Sequence, residues 1–273
     1  MPTATADAGT VAALHRYPVK SMMGEALNAT KVGQRGVQHD RTFALLDVET
    51  KKVASAKNPA KWPGLFAFRA TLAVGEASIP TVTITLPDGT LVSSADPAID
   101  AILSTAVGRR VTLAGSAPTS AQLEEYWPDI EELPKRDVVT DEALPSGTFF
   151  DCAAVHILTT ATLDALRSLY PTGRFEPRRF RPNLIVATPP GAAGFVENGW
   201  VGKTINVGTG GAQFKITGPC PRCVMTTLAQ DDLPRDPLVL KTAAQHNGAH
   251  VGVYASVLRG GIIRRGDTVT VGD

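Results

Sequence analysis

From residue 26 to residue 94 the chain is a succession of short, strand-like segments: "ALNATKV", "RTFALLDV", "VASAK", "LFAFRATLAV" and "TVTITLPDGTLVSS". Turn residues separate each from the next, which is the pattern of strands rather than helices. Asp88-Gly89 marks the tightest of these turns and a hairpin. One helix interrupts the series, at "DPAIDAILSTAVG". There Asp96 is expected to cap, Pro97 to take the first helical position and Gly108 to end the helix, with Ile99, Ile102, Leu103 and Ala106 on one face. Residues 116–140 mix proline, serine and acidic side chains without periodicity and read as a module boundary or a long surface excursion.

The second half opens with "FFDCAAVHIL", a buried-strand pattern, followed by a helix, "TTATLDALRSLYP", capped by Thr159 or Thr160 and stopped before Pro171. Strands are expected at "RFRPNLIVA", "KTINVG" and "AQFKITG", a helix at "LVLKTAAQH", and a closing pair at "HVGVYASVLR" and "GDTVTVG". So few helices among so many short strands imply an α+β, β-rich fold, a β-barrel or strongly bent sheet with helices at its rim. No internal repeat is visible, and "GTGGAQF" lacks the lysine of a phosphate loop.

A chain of 273 residues suffices for one large domain or two modest ones. Its 27 basic and 26 acidic side chains leave no net field to attract nucleic acid or a membrane surface. The opening "MPTATADAGTVAALH" has neither a positive n-region nor an apolar h-region, and no stretch has the apolar length of a bilayer span. The expectation is a cytoplasmic protein. Three cysteines suit a reducing compartment better than a disulfide framework.

Two of those cysteines lie in "TGPCPRCVMTT". Cys220 and Cys223 have the spacing of zinc ligands, and Cys152 with His156 could nominally complete the set. If "DCAAVHIL" is a strand, however, Cys152 and His156 stand about 13 Å apart on one face, too far to share an ion. His156 then reads as a hydrogen-bonded core residue. A dithiol of thioredoxin type would open a helix, whereas "VMTTLAQDDLP" reads as strand or irregular. Plain packing of both thiols is the simplest alternative. Arg222, a permanent cation set between the thiols, argues for a thiolate able to ligate a soft metal. Lys20 and Ser21 in "YPVKS", Arg41 in "HDRTF", and Arg179, Arg181 and Asn183 in "RRFRPN" add donors of the kind a phosphorylated anionic cofactor needs.

The segments "LHRYPVKSMMG", "DRTFALLD", "RFRPNLIVA" and "GPCPRCVMTT", in this order, resemble the MOSC family, in the branch with an N-terminal β-barrel domain that includes the mitochondrial amidoxime-reducing component and its bacterial relatives. The resemblance is colinear over nearly the whole chain. It implies an N-terminal β-rich module at 1–125 and a MOSC-type β-barrel with peripheral helices at 126–273. It also implies a molybdenum cofactor (Mo-molybdopterin) whose metal takes one protein thiolate, that of Cys223, the residue also expected to be catalytic. Lys20, Ser21, Arg41, Arg181, Asn183 and Arg222 match positions that hold the pterin and its phosphate, and Cys152 falls where relatives often line the pocket with a small polar residue. Cys220 has no assigned ligand role.

What the resemblance implies about activity is reduction of a small N-hydroxylated substrate to an amine or amidine. Electrons would come from a separate donor of flavin-reductase or ferredoxin type, since no fused ferredoxin domain follows. Asp40 and Asp151 are candidate proton donors only through their proximity to the matched motifs. The alternative is a module that carries the cofactor or transfers sulfur without turnover. Two departures from the family pattern bear on this: "LAQDDLPRDP" replaces the usual turn after Thr-Thr, and Pro221 removes a hydroxyl and a backbone donor from the cradle.

Overall fold

The computed structural model describes residues 5–72 and 80–272. Residues 73–74, which end the strand expected at "LFAFRATLAV", and residues 1–4 lie outside the described residues. The first part of the chain forms β1 (Ala6–Arg16), β2 (Glu25–Leu27), β3 (Ala29–Gly33), β4 (Gly36–Val37), β5 (Ala44–Asp47), β6 (Arg69–Leu72), β7 (Val82–Thr85) and β8 (Leu91–Ser93). Helix α1 (Ile99–Val107), β9 (Val111–Ala114), β10 (Gln122–Trp127) and β11 (Val138–Ala143) follow. The remainder is β12 (Val155–Thr159), α2 (Thr160–Leu169), α3 (Pro177–Phe180), β13 (Leu184–Ala187), β14 (Thr204–Val207), β15 (Ala212–Pro221), α4 (Pro237–Asn247), β16 (His250–Arg259), β17 (Gly261–Arg264) and β18 (Thr268–Gly272).

The largest sheet runs β13-β12-β16-β15-β14-β18-β1-β2, and a further pairing of β13 with β1 closes seven of these strands into a barrel. The fold is thus β-rich α+β, as the sequence implies. Only β12 and β13 are parallel neighbours in it, and α2 and α3 supply the crossover that a parallel pair requires. Thr159 caps α2 by accepting from the Thr162 amide, while the buried Glu197 carboxylate accepts from both threonine hydroxyls at 2.6 Å. Alternate residues of the strands fill the barrel with Val, Ile and Ala around the fully buried Phe214.

Strand β1 bonds to β18 through Ala6–Thr10, to β13 through Thr10–Leu14 and to β2 through Leu14–Arg16. It can do so because the register shifts between Asp7 and Gly9 and again between Val11 and Ala13. Gly9 sits at φ 117, and a Cβ there would meet the Ala187 carbonyl oxygen at 1.9 Å. A second core, of Trp62, Phe66, Phe68 and Leu103 with the β6–β7–β8 sheet, occupies the N-terminal part, and Met225 from the far end of the chain is buried in it.

Several local expectations change. Asp96 accepts from the Ala98 amide in a turn, so α1 starts at Ile99 and not at Pro97, although Gly108 does end it in the left-handed conformation. "VASAK" forms only isolated bridges at Val53. "FFDCAAVHIL" becomes strand only at Val155, with Cys152 exposed in the preceding bend, so the two residues do not share a strand face. Within 116–140 the segment Gln122–Trp127 is a strand, paired along its whole length with β11. "HVGVYASVLR" and "GDTVTVG" are not paired with each other; β15 and β14 stand between them. The segment after Cys223 is a 3-10 turn, Val224–Thr227.

Candidate functional site

One cavity of about 80 Å³ lies where the barrel meets the N-terminal core. Its wall includes Lys20, Ser21, Arg41, Cys152, Arg181, Asn183, Arg222 and Cys223, so positions spread from 20 to 223 in the sequence converge here. Lys20 and Ser21 come from the turn after β1, Arg41 from the turn before β5, Arg181 and Asn183 from the link between α3 and β13, and Arg222 and Cys223 from the exit of β15. Cys152 reaches the wall from an exposed bend.

Three of these residues hold left-handed backbone conformations without being glycine: Ser21 at φ 62, Arg41 at φ 48 and Arg181 at φ 55. Each costs of order 1 kcal/mol, and such strain gathers where surrounding structure over-determines a site. Here the surroundings are visible. Ser21 Oγ accepts from the Ala56 amide at 3.1 Å. The Arg181 guanidinium lies 4.2 Å above the Tyr17 ring and that of Arg41 lies 4.6 Å from it, so a buried tyrosine touches both cations. Burial pushes the Tyr17 phenol up to about 12, against the pull of Arg181 and Arg41. Asp40 fixes the same corner, accepting from the Tyr17 amide at 2.7 Å, from Asn183 Nδ2 at 3.0 Å and from Arg41. Asn183 Oδ1 accepts from the His156 amide at 3.1 Å, so this side chain braces β12 while it lines the cavity.

The charges are unbalanced. Lys20 Nζ lies 2.7 Å from Asp151 and donates to the Phe149 carbonyl, and Lys57 Nζ lies 3.0 Å from Glu125 and 3.6 Å from Asp151. Burial would raise the Asp151 carboxyl, but Lys20 and Lys57 together hold it well below the usual carboxylate range. Burial lowers the Lys20 ammonium despite Asp151. Arg181 and Arg222, by contrast, have no carboxylate partner among the described residues. Arg181 donates to the Met22 carbonyl at 2.7 Å, and burial, reinforced by Arg41, pushes it down to about 10. Arg222 donates to the Phe180 carbonyl at 3.0 Å and leaves its Nε buried without a partner. Arg181 is thus a buried cation without a counter-charge among the described residues, which is costly and for which an anionic ligand is the ordinary remedy, whereas half-buried Arg222 has the Cys220 sulfur beside it.

The two thiols differ sharply. Arg222 Nη1 donates to Cys220 Sγ at 2.7 Å, so the arginine read from the sequence as favouring a thiolate is engaged with Cys220 and not with the expected metal ligand, Cys223. Burial would raise the Cys220 thiol, but Arg222 and His156 outweigh it and bring the group down to about 6. Burial pushes Cys223 up to about 11, with Lys57 the main opposing charge. Cys220 is fully buried, whereas Cys223 lines the cavity. His156 is a buried hydrogen-bonded residue, its Nε2 3.0 Å from the Val251 carbonyl, and it also reaches the wall.

Lys57, Tyr17 and Tyr254 belong to this constellation and escaped the sequence reading. Tyr17 stood in the quoted "YPVKS", where an aromatic beside a lysine was the available signal. Lys57 was hidden in a segment read as strand. Tyr254 carried no signal beyond its place in an alternating strand.

In charge and donor type these residues fit an anionic group that offers a soft metal to one thiolate. In size the enclosed space takes only one end of a pterin cofactor, and the remainder has to lie outside it.

Fold and cavity together define a β-barrel protein that gathers two accessible thiols, Cys152 and Cys223, with buried and half-buried cations around one cavity. Residues 145–270 match the family model described as the MOSC domain, and residues 8–113 the one described as the MOSC N-terminal beta barrel domain. The chain belongs to the MOSC family, in the form with that N-terminal domain, and the family binds molybdenum cofactor in general. Among solved structures it is similar to the YUAD protein from Bacillus subtilis, with a TM-score of 0.50 and 14% identity over 98% of this chain and 97% of that one, a likeness of fold. YiiM from Geobacillus stearothermophilus matches with a TM-score of 0.34 and 15% identity over 58% of this chain and 75% of that one. No curated protein matches.

Proposed function

We propose that this chain binds a molybdenum–pterin cofactor through Cys223 and the surrounding cations and reduces small N-hydroxylated compounds. The observation that carries the reading is the convergence on one cavity of Cys223 with the buried Arg181 and the half-buried Arg222, neither of which has a carboxylate partner among the described residues. When bound, the cofactor supplies two-electron redox chemistry. Cys223 Sγ would be its protein ligand, and Arg181, Arg222 and Arg41 would neutralise its anionic groups.

The overall change breaks the N–O bond, consumes two electrons from a separate donor protein and two protons, and releases water. Asp151, ionised between two lysines, is the wrong group to deliver those protons at neutral pH. Among the protonated groups at the wall are the ammoniums of Lys20 and Lys57, each held by Asp151. Lys20, whose burial favours its neutral form, is the better donor of the two.

Protein made in a cofactor-competent host tests the reading by metal analysis and by benzamidoxime reduction with a chemical electron donor. Molybdenum near one equivalent and measurable turnover are expected in the wild type, with both lost in Cys223→Ser. Metal without turnover supports a carrier instead. A purified wild type without molybdenum ends the proposal.

A further inference from the structure

A much larger cleft, of about 650 Å³, adjoins the thiol cavity and shares Arg41, Phe149 and Phe150 with it. Its far wall is the segment from Lys31 to Thr42, which leaves β3, turns through Gly33–Gly36 and returns past β4. Opposite stand Gly115–Ala117 and Gly147–Phe150. Gly33, Gly36, Gly115 and Gly147 line it, so a ligand can approach the backbone closely at these points. Its volume is within the ordinary range for a small-molecule site.

The charge of this cleft has one sign to spare. Among the described residues Asp40 is the only acidic side chain on its wall, and Asp40 is consumed by Arg41, Asn183 and the Tyr17 amide. Lys31 and Arg35, both exposed, have no ion-pair partner among the described residues, and the one hydrogen bond of Arg35 is a long one, 3.5 Å, to the Gly147 carbonyl. Burial, followed by Arg16, lowers the His39 imidazole, so it adds hydrogen-bonding capacity without a countercharge.

We infer that this cleft is the substrate site of the proposed reductase and that it selects N-hydroxylated molecules carrying a carboxylate or phosphate remote from the reacting nitrogen, with Lys31 and Arg35 binding that anion. The inference rests on the function proposed above for the choice of reacting group, but not for the anion site itself. The shared wall at Phe149 and Phe150 is where a substrate would pass from the cleft toward Cys223. The anion would stay at Lys31 and Arg35, the two cations that no carboxylate among the described residues neutralises.

Benzamidoxime and 4-carboxybenzamidoxime share the reacting group and differ by one charge, which makes them the probes. For the wild type at low salt the carboxylated probe is expected to show a KM about fivefold lower, the scale of one or two exposed charge pairs. That preference should disappear in the Lys31→Glu/Arg35→Glu double variant and fade in high salt. A milder double variant, Lys31→Gln/Arg35→Gln, should lose part of the preference and guards against misfolding of the charge-reversed protein. Equal KM values for the two probes, or a preference that survives charge reversal, would overturn the inference.

Calorimetry with phenyl phosphate on cofactor-loaded protein, in which the cations around Cys223 are already engaged, reads the anion site without turnover. Binding that weakens about fivefold in the double variant supports the site even if neither amidoxime is reduced, in which case it is the reductase reading that fails. Phenyl phosphate binding that is absent or insensitive to Lys31 and Arg35 counts against the cleft alone. Mass spectrometry of the released pterin completes the test: a nucleotide appended to it would mean that the cofactor itself fills the cleft, and the substrate assignment falls.

Discussion

Arg222 hydrogen-bonds the sulfur of Cys220 while its neighbour Cys223 faces the cavity, so two thiols three positions apart have opposite tasks. A pH consequence follows for the cofactor-free protein. Cys220 titrates at about 6 in the folded chain against an ordinary 9.0. Between those values the unfolded chain holds a proton that the folded chain lacks, so stability should rise with pH across that window and be lost as pH falls through about 6. Thermal melts from pH 5 to 9 should show the rise in the wild type, and Cys220→Ser should flatten it; identical profiles would mean that the sulfur is not held as thiolate. At this scale the sequence was informative about which residues gather. Lys20, Ser21, Arg41, Arg181, Asn183, Arg222 and Cys223 were all named from motifs, and all line one wall. It was silent about the direction in which Arg222 points, because the chain leaves β15 at Pro221 and the guanidinium turns back toward Cys220, a detail of backbone path that residue order does not encode.

Among the elements, the loop after the Cys223 turn is fastened by one buried side chain. Arg179, with no exposed surface, donates to the carbonyls of Arg174, Thr226, Leu228 and Pro234. Arg179→Met would leave those carbonyls without a donor in a low-dielectric setting, and a loss of roughly 3 kcal/mol is expected in urea denaturation. Arg179→Lys should recover little of it, since a single ammonium cannot match the spread of a guanidinium. A loss below about 0.5 kcal/mol, the range of an ordinary surface substitution, would show that the loop holds itself. The sequence grouped Arg179 with the cofactor donors by proximity to "FRPN", and the fold gives it this different work. Strand β10 was missed for a related reason. Its outward face, Gln122, Glu124 and Tyr126, is polar or only partly covered, and prolines flank it, so its period is weak even though Leu123 is fully buried. A strong period, as in α2, was legible because the helix buries one clear face.

For the molecule as a whole, β1 is the piece no local pattern announced. "ADAGTVAALHR" alternates poorly because two bulges reset its register and a glycine sits where β13 comes closest. The boundary proposed at residue 125 therefore meets a strand that is hydrogen-bonded to β18 and β13, both on the other side of it. A fragment of residues 126–273 would expose those two edges, and it is expected to be aggregated or to bind a hydrophobic dye, whereas co-expression with residues 1–125 should restore soluble protein. A soluble, cooperatively melting 126–273 fragment would show that the barrel does not need β1. The closure has a temporal side as well. The ribosome makes Ala6–Thr10 some 260 residues before their partners Thr268–Val271, so β1 must wait through that stretch of translation with one edge unmet. Nascent-chain chaperones have a long interval in which to hold it, and slower elongation lengthens the exposure without changing the finished molecule.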